Sequence, residues 1–240
     1  MEKRNYLKSF CALALCFGLI FALTGCKKAS PEAIEKKISE DLKNAQYFDA
    51  DIKGSLKADI AQLSGQNVTI EMNMKMDKSG GFPIMIMDGT VGVEGLLTMP
   101  ATIYFDSEKM VVSAMGQSMQ NPIPEKIKKQ LDESLAKGNA QQELNKTVTA
   151  TKVGDSSALE IAYDLEQINK HFAEKNGGKT DVKLEEMKMF YILKGKDELD
   201  GISVDMTIVS GANGEKMQMQ FEIKYNSIGQ PVTITAPAVN

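Results

Sequence analysis

Val68, Ile70, Met72, Met74 and Met76 alternate with Thr69, Glu71, Asn73 and Lys75, and this run constrains the fold more than any other stretch. A period of two places all five apolar side chains on one side of a strand, whereas a helix would scatter them around its axis. Ala50, Ile52, Gly54, Leu56, Ala58 and Ile60 repeat the pattern upstream, and Ser79-Gly80-Gly81 marks the turn downstream. Ile84 to Met87, Thr90 to Leu97, Ala101 to Phe105 and Met110 to Met115 read as further strands. They lie too close in sequence for helical crossovers, so the pairing is expected to be antiparallel.

Helices are expected at three places. Ser30-Pro31-Glu32 reads as an N-cap, a proline at the first helical position and an acid in the first turn, followed by Ile34, Ile38, Leu42 and Ala45 at helical spacing. Ile127, Leu131 and Leu135 predict a second helix after Pro122 and Pro124, ended by Gly138-Asn139. Asp164 and Gln167 resemble a capping box opening a third through Ile168 and Phe172, closed by Asn176-Gly177. Short strands are expected at Thr147 to Val153 and Leu159 to Tyr163 between the last two helices. The C-terminal third reads as a meander of Leu184 to Leu193, Ile202 to Ser210, Lys216 to Tyr225 and Pro231 to Thr235. Asp200-Gly201, Asn213-Gly214 and Ser227-Ile228-Gly229 would separate its strands. No composition break divides the chain, which predicts one domain of roughly nine to eleven antiparallel strands with three helices.

The start of the chain carries a different signal. Lys3, Arg4 and Lys8 precede a mostly apolar run from Phe10 to Leu23, which ends in Leu23-Thr24-Gly25-Cys26. That order resembles a bacterial lipoprotein signal. The resemblance implies that residues 1–25 are removed and that Cys26 receives a diacylglyceryl thioether. Residues 26–30 would then be the lipidated cysteine with a short tether, and 31–240 the single domain. The expected location is the extracytoplasmic face of the cell membrane, or the outer membrane where the source has two. An ordinary secretory signal or an uncleaved membrane helix stays open, although the run is short for a span of roughly 20 residues. Lys27 and Lys28 could touch anionic headgroups or simply be solvated.

Cysteine and charge agree with export. Cys11 and Cys16 fall inside the leader, so the remaining chain holds only Cys26 and is built without disulfides. Its 25 basic residues face 31 acidic ones, with no long basic stripe, which argues against nucleic acid as a partner.

Together the lipobox, the helix from Pro31 to Tyr47 leading into the Ala50–Ile60 strand, helices inserted midway through a meander, and the ending Gly229-Gln230-Pro231-Val232-Thr233-Ile234-Thr235 resemble the LolA-like group of lipid-carrier lipoproteins. That group includes the lipoprotein-localisation carriers and the glycolipid-binding exported lipoproteins. The resemblance implies an α+β fold: a strongly curved antiparallel sheet, an incomplete β-barrel, with helices covering its concave side and an apolar cavity between. It assigns no ligand residue beyond Cys26. Gly54, Gly89, Gly92 and Gly95 fall in strand-like runs, where bulges and coiling suit such a curve.

Methionine is the compositional oddity: 15 residues against no tryptophan. Met72-x-Met74-x-Met76, Met85-x-Met87, Met187-x-Met189 and Met217-x-Met219 each share a strand face. They read as ordinary core, as an adaptable wall for acyl chains, or as soft-metal ligands. Ile70, Met72, Met74, Met76, Met217, Met219 and Phe221 are the candidate cavity wall. His171 has no orienting partner in sequence and reads as a solvent-facing helix residue. Asp197, Glu198 and Asp200 read as a solvated turn, with too few ligands for Ca²⁺. Gly89-x-x-Gly92-x-x-Gly95 has the wrong spacing for a dinucleotide fingerprint, and no nucleophile elbow, paired metal histidines or phosphate loop occurs. The expectation is a non-enzymatic protein without a cofactor that binds a lipid or other hydrophobic molecule. The alternatives are an envelope interaction or sensing module with a protein partner and no ligand cavity, and soft-metal binding through the Met-x-Met strands.

Overall fold

Two meanders run outward from a shared centre. In a computed structural model, which describes residues 29–58, 66–123, 125, 128, 144–175, 182–210 and 214–238, the first helix α1 (Pro31–Asn44) leads into β1 (Tyr47–Ala58). β2 (Asn67–Asp77), β3 (Ile84–Val93), β4 (Leu97–Phe105), β5 (Lys109–Ala114) and β6 (Gln117–Pro122) then step away in one direction. β7 (Lys146–Val153), β8 (Ser156–Tyr163), the helix α2 (Leu165–Lys175), β9 (Val182–Lys194), β10 (Glu198–Ser210) and β11 (Lys216–Ile228) step back from the opposite edge. The sheet order is β6-β5-β4-β3-β2-β1-β11-β10-β9-β8-β7, eleven strands in all. Every neighbour but one is also a neighbour in sequence; the exception is β1 against β11, with Ile52 opposite Ile223 and Leu56 opposite Met219.

This architecture overturns the expected α+β fold with three helices covering the concave side of an incomplete barrel. The protein is one large open antiparallel sheet, and its described helices, of 14 and 11 residues, are two short ones. Of the helix expected around Ile127, Leu131 and Leu135, only Glu125 and Lys128 are described, and both are helical; its three apolar residues lie outside the described residues, as do residues 1–28 with Cys26. Alternation is the stronger signal here: seven of the eleven strands run for nine to thirteen residues, and the described helices offer few apolar residues in return. Closure would require β6 to pair with β7. β6 is polar and ends on Pro122, which has no N–H to give a partner strand.

Several boundaries also move. Ile84 to Val93 is one strand, and Leu97 opens the next, across the turn at Gly95 with φ +74°. β6 was not expected at all, because Gln117-Ser118-Met119-Gln120-Asn121-Pro122 has no strand composition. The β9–β10 turn sits at Gly195 (φ +71°), not at Asp200-Gly201, which lie inside β10 beside a register shift. There a Cβ on Gly201 would stand 2.5 Å from the Ile223 carbonyl oxygen, so the glycine serves close strand approach rather than a turn. Pro231 to Thr235 forms no strand: Gly229 turns the chain away at φ +77° and donates its N–H to the Tyr47 carbonyl at 2.8 Å.

The local signals for α1 explain its start. The Ser30 hydroxyl accepts the Ala33 N–H at 3.3 Å, and Pro31 occupies the first turn, where its missing donor costs nothing. α2 opens on Asp164, whose carboxylate accepts the N–H groups of Glu166 and Gln167 at 3.0 and 3.1 Å. The reciprocal half of a capping box is absent. Gln167 turns instead to the Asn145 N–H at 2.7 Å, because the Asp164 N–H is already taken by the Asn145 carbonyl.

The main core lies under α1. Ile38 packs with Val148, Leu159, Ile161, Tyr191 and Leu193, flanked by Ile34 and Leu42 from the same helical stripe. Within this contact the Glu35 side chain is only 6% exposed and accepts Lys146 at 2.7 Å and the Ser39 hydroxyl at 2.7 Å. Burial pushes the Tyr191 hydroxyl above the ordinary tyrosine range. Burial raises Tyr163 and Tyr225 to about 12. A smaller buried group, Tyr104, Val111 and Ile123, lies at the β4–β5 side, with Tyr104 and Val111 paired across the two strands.

Two outcomes test this packing. Removing one partner of a buried ion pair strands the other charge, so Glu35→Ala should cost about 2–3 kcal/mol by urea unfolding; the estimate is lowered from the fully buried case because Lys146 is 33% exposed. Glu35→Leu with Lys146→Met should fall within about 1 kcal/mol of the parent. The tyrosines set the alkaline limit. An acid whose folded value is raised holds its proton after the unfolded chain has lost it, so its stabilisation is complete below pH 10 and is lost as pH rises to about 12. The melting temperature should therefore decline over that window, and Tyr163→Phe should flatten the decline.

Candidate functional site: a methionine-rich sheet face

Register shows which side chains share a face, since residues directly opposite each other in an antiparallel pair point the same way. Ile70 stands opposite Gly54, which stands opposite Phe221; Met72 is joined in the same way through Ile52 to Ile223. Met74 lies opposite Ala50 and Met76 opposite Phe48, while Met219 and Met217 oppose Leu56 and Ala58. Hence all seven candidate wall residues, Ile70, Met72, Met74, Met76, Met217, Met219 and Phe221, occupy one face spanning β2, β1 and β11. Met72 is buried and the other six are half-buried.

The face extends further than the candidates. On β3 and β4 it continues through Met85, Met87, Val91, Met99, Ile103 and Phe105. On β10 and β9 it continues through Val204, Met206, Met187 and Met189. Met206 and Met99 went unread because each sits alone in its strand's sequence, and only pairing reveals their neighbours. Two glycines shape the surface. The ring of Phe221 lies 2.8 Å from where a Gly54 Cβ would be, so the aromatic fills the space that glycine leaves. Gly89 faces Met72, and a Cβ there would lie 2.0 Å from the Glu71 carbonyl oxygen and 2.7 Å from the Met72 Cα. β3 can approach β2 that closely only with glycine at this point.

The opposite face is polar at its centre. Asp49 accepts from Asn73 and Asn226, both at 3.0 Å, which ties β2, β1 and β11 together. Burial pushes the Asp49 carboxyl up, but those amide donors and the charge of Lys75 outweigh it and hold the group below its ordinary value.

Two hollows are described, and neither is a greasy cavity. The first, about 450 Å³, opens on the polar face between Ser55, Lys57, Glu186, Lys188, Asp205, Gln218 and Gln220. Of the seven candidates it touches Met219 alone. The second, about 480 Å³, lies between the C-terminal half of α1, the turn after β9 and the end of β11, and none of the seven lines it. Asp200 borders that hollow, and Asp197 binds Lys37 at 2.8 Å in an exposed pair. Neither hollow is an enclosed apolar cavity against the methionines; on the described residues, an apolar guest would lie on their half-buried face.

Among the described residues, no three His, Cys, Asp or Glu side chains are grouped to hold a metal ion, and no helix is long and apolar enough to cross a membrane. The side chain of His171 lies outside the described residues. Substituting Gly89→Ala should destabilise the protein by about 2 kcal/mol or more, as a clash with backbone admits no rotamer escape. Gly54→Ala should cost less, because the Phe221 ring can rotate aside; thermal melts of the two variants compare them. No protein-family model matches this chain, and no curated protein matches it.

Proposed function

We propose that this protein is a lipoprotein held at the extracytoplasmic face of the cell membrane through Cys26, and that the apolar face of its sheet binds a lipid or another hydrophobic molecule. The observation that carries the binding half is the convergence of Ile70, Met72, Met74, Met76, Met217, Met219 and Phe221 on one face, six of them half-buried. Each methylene moved from water onto such a surface gains about 0.8 kcal/mol. Thioethers suit the task, since an unbranched, polarisable side chain adjusts to guests of different shape. The anchoring half is supported by Leu23-Thr24-Gly25-Cys26 after a basic and apolar leader. Two acyl chains would hold the domain at the bilayer, beside the source of such a guest. The proposed relationship is to the LolA-like lipid-carrier group, with an open sheet face in the place of a plugged barrel.

A second reading, an envelope interaction module without a ligand, is favoured by one observation. Leu96, Leu97, Met115 and Met119 are 67%, 44%, 67% and 65% exposed, at the β3–β4 and β5–β6 turns and in the strands they open. Apolar residues that open to water at neighbouring turns suit a protein partner.

Uptake of a fluorescent fatty acid, with native mass spectrometry of freshly purified protein, separates the two. The carrier reading expects co-purifying lipid, and a loss of uptake of about tenfold or more when Met74→Lys and Met217→Lys place charges on the face. Cys26→Ala should leave uptake intact and move the protein from the membrane to the soluble fraction. A protein that carries no lipid and takes up no probe would instead be the interaction module.

A further inference from the structure

Strand pairing brings four methionines together that sequence keeps in two separate pairs. Met74 stands directly opposite Met87, and Met76 directly opposite Met85, on the same face of β2 and β3. We propose that Met74, Met76, Met85 and Met87 form a binding site for a soft monovalent cation of the Cu(I) or Ag(I) class.

The geometry suits one ion. Opposed residues place their Cβ atoms about 5 Å apart, and residues two apart along a strand stand about 7 Å apart, so the four side chains rise from the corners of a small rectangle. Half its diagonal is about 4 Å. Each sulfur lies two bonds beyond its Cβ on a freely turning chain, so all four can lean over the centre. The four side chains are half-buried, neither sealed from an arriving ion nor fully in water.

The surroundings select the class of ion. Phe48 and Phe105 flank the Met76–Met85 edge, and Ala50 and Ile103 flank the Met74–Met87 edge. The cross-strand neighbours on this face offer no side-chain oxygen, so a hard cation finds no ligand among them; the Lys78 amine lies over the Phe48 ring at 4.7 Å, at the Met76–Met85 edge, and opposes every cation alike. Neutral thioethers bind soft ions such as Cu(I) and leave Mg²⁺ or Ca²⁺ in water. The other methionine group differs in shape. Met219, Met206 and Met187 form a row across β11, β10 and β9, with Met217 and Met189 beside its ends, and Ile208 and Val204 occupy the corners that would complete a ring of four. That row is the internal control. The site is independent of the lipid reading, since its test uses the metal ion alone.

The test is titration of the full chain with Ag(I), a redox-stable stand-in for Cu(I), after Cys11→Ser, Cys16→Ser and Cys26→Ser remove the competing thiols. Methyl-labelled methionine reports each thioether by NMR. One ion should bind per chain and shift four methyl signals, those that vanish in the variant carrying Met74→Leu, Met76→Leu, Met85→Leu and Met87→Leu. Leucine keeps the volume, so this variant should fold, and its affinity should fall about 100-fold or more. Met187→Leu, Met206→Leu and Met219→Leu together should leave affinity unchanged. Thioethers carry no proton to lose, so binding should be equal at pH 5.5 and 7.5, unlike a histidine or thiol site. Equal affinity in the four-leucine variant would overturn the proposal. So would shifts spread evenly over all the methionines of the parent protein, a readout that needs no variant to fold.

Discussion

The pairing of β1 with β11 holds the molecule together. Among the described strands it is the one pairing between strands from opposite ends of the chain, running from Phe48 opposite Ile228 to Ala58 opposite Met217. Each half is otherwise a meander that grows outward from its own hairpins. Closing so long a loop costs entropy before any contact repays it. The repayment is visible along the seam: Ala50, Ile52 and Leu56 meet Tyr225, Ile223 and Met219, and the same strand then meets Met74, Met72 and Val68 on its other side. The seam therefore creates the middle of the apolar face as well as the sheet.

That face is covered unevenly. α1 seals its β7–β10 side through Ile34, Ile38 and Leu42, and there the residues are buried. Across β2, β3 and β11 most of the same face is half-buried, and it is there that methionine concentrates. A solid core would favour branched aliphatics, which fit a pleated surface with less freedom to lose. Flexible thioethers at the less covered part of one continuous face fit a surface that meets a changing partner, whether acyl chain or soft ion. Two proposed uses of one face make different demands, since a lipid needs area and an ion needs four converging sulfurs.

Much of the strand pattern could be read in advance, because a strand with one apolar face writes its period into its sequence. Val68 to Met76 is the clearest case, and its five apolar residues do share a face. The start of α1 was equally legible in Ser30-Pro31, where the cap is a local hydrogen bond. The errors came where a local signal had a non-local use. Asp200-Gly201 resembles a turn, yet Gly201 is required by the closeness of Ile223 on a neighbouring strand. Gln167 completes a capping box on paper, but a backbone group at Asn145 competes for it. β6 has no composition to announce it and exists because β5 offers an edge.

The amino-acid sequence alone determined the alternation, the capped first helix and the pairs of methionines two residues apart. Each depends on neighbours within a few positions, where chain geometry leaves little choice. Only the tertiary structure decided that the sheet stays open, that β1 lies against β11, and that Met74 meets Met87 while Met76 meets Met85. Those outcomes depend on register between distant strands. Register is set by the summed fit of whole faces and edges, which no short stretch of sequence contains.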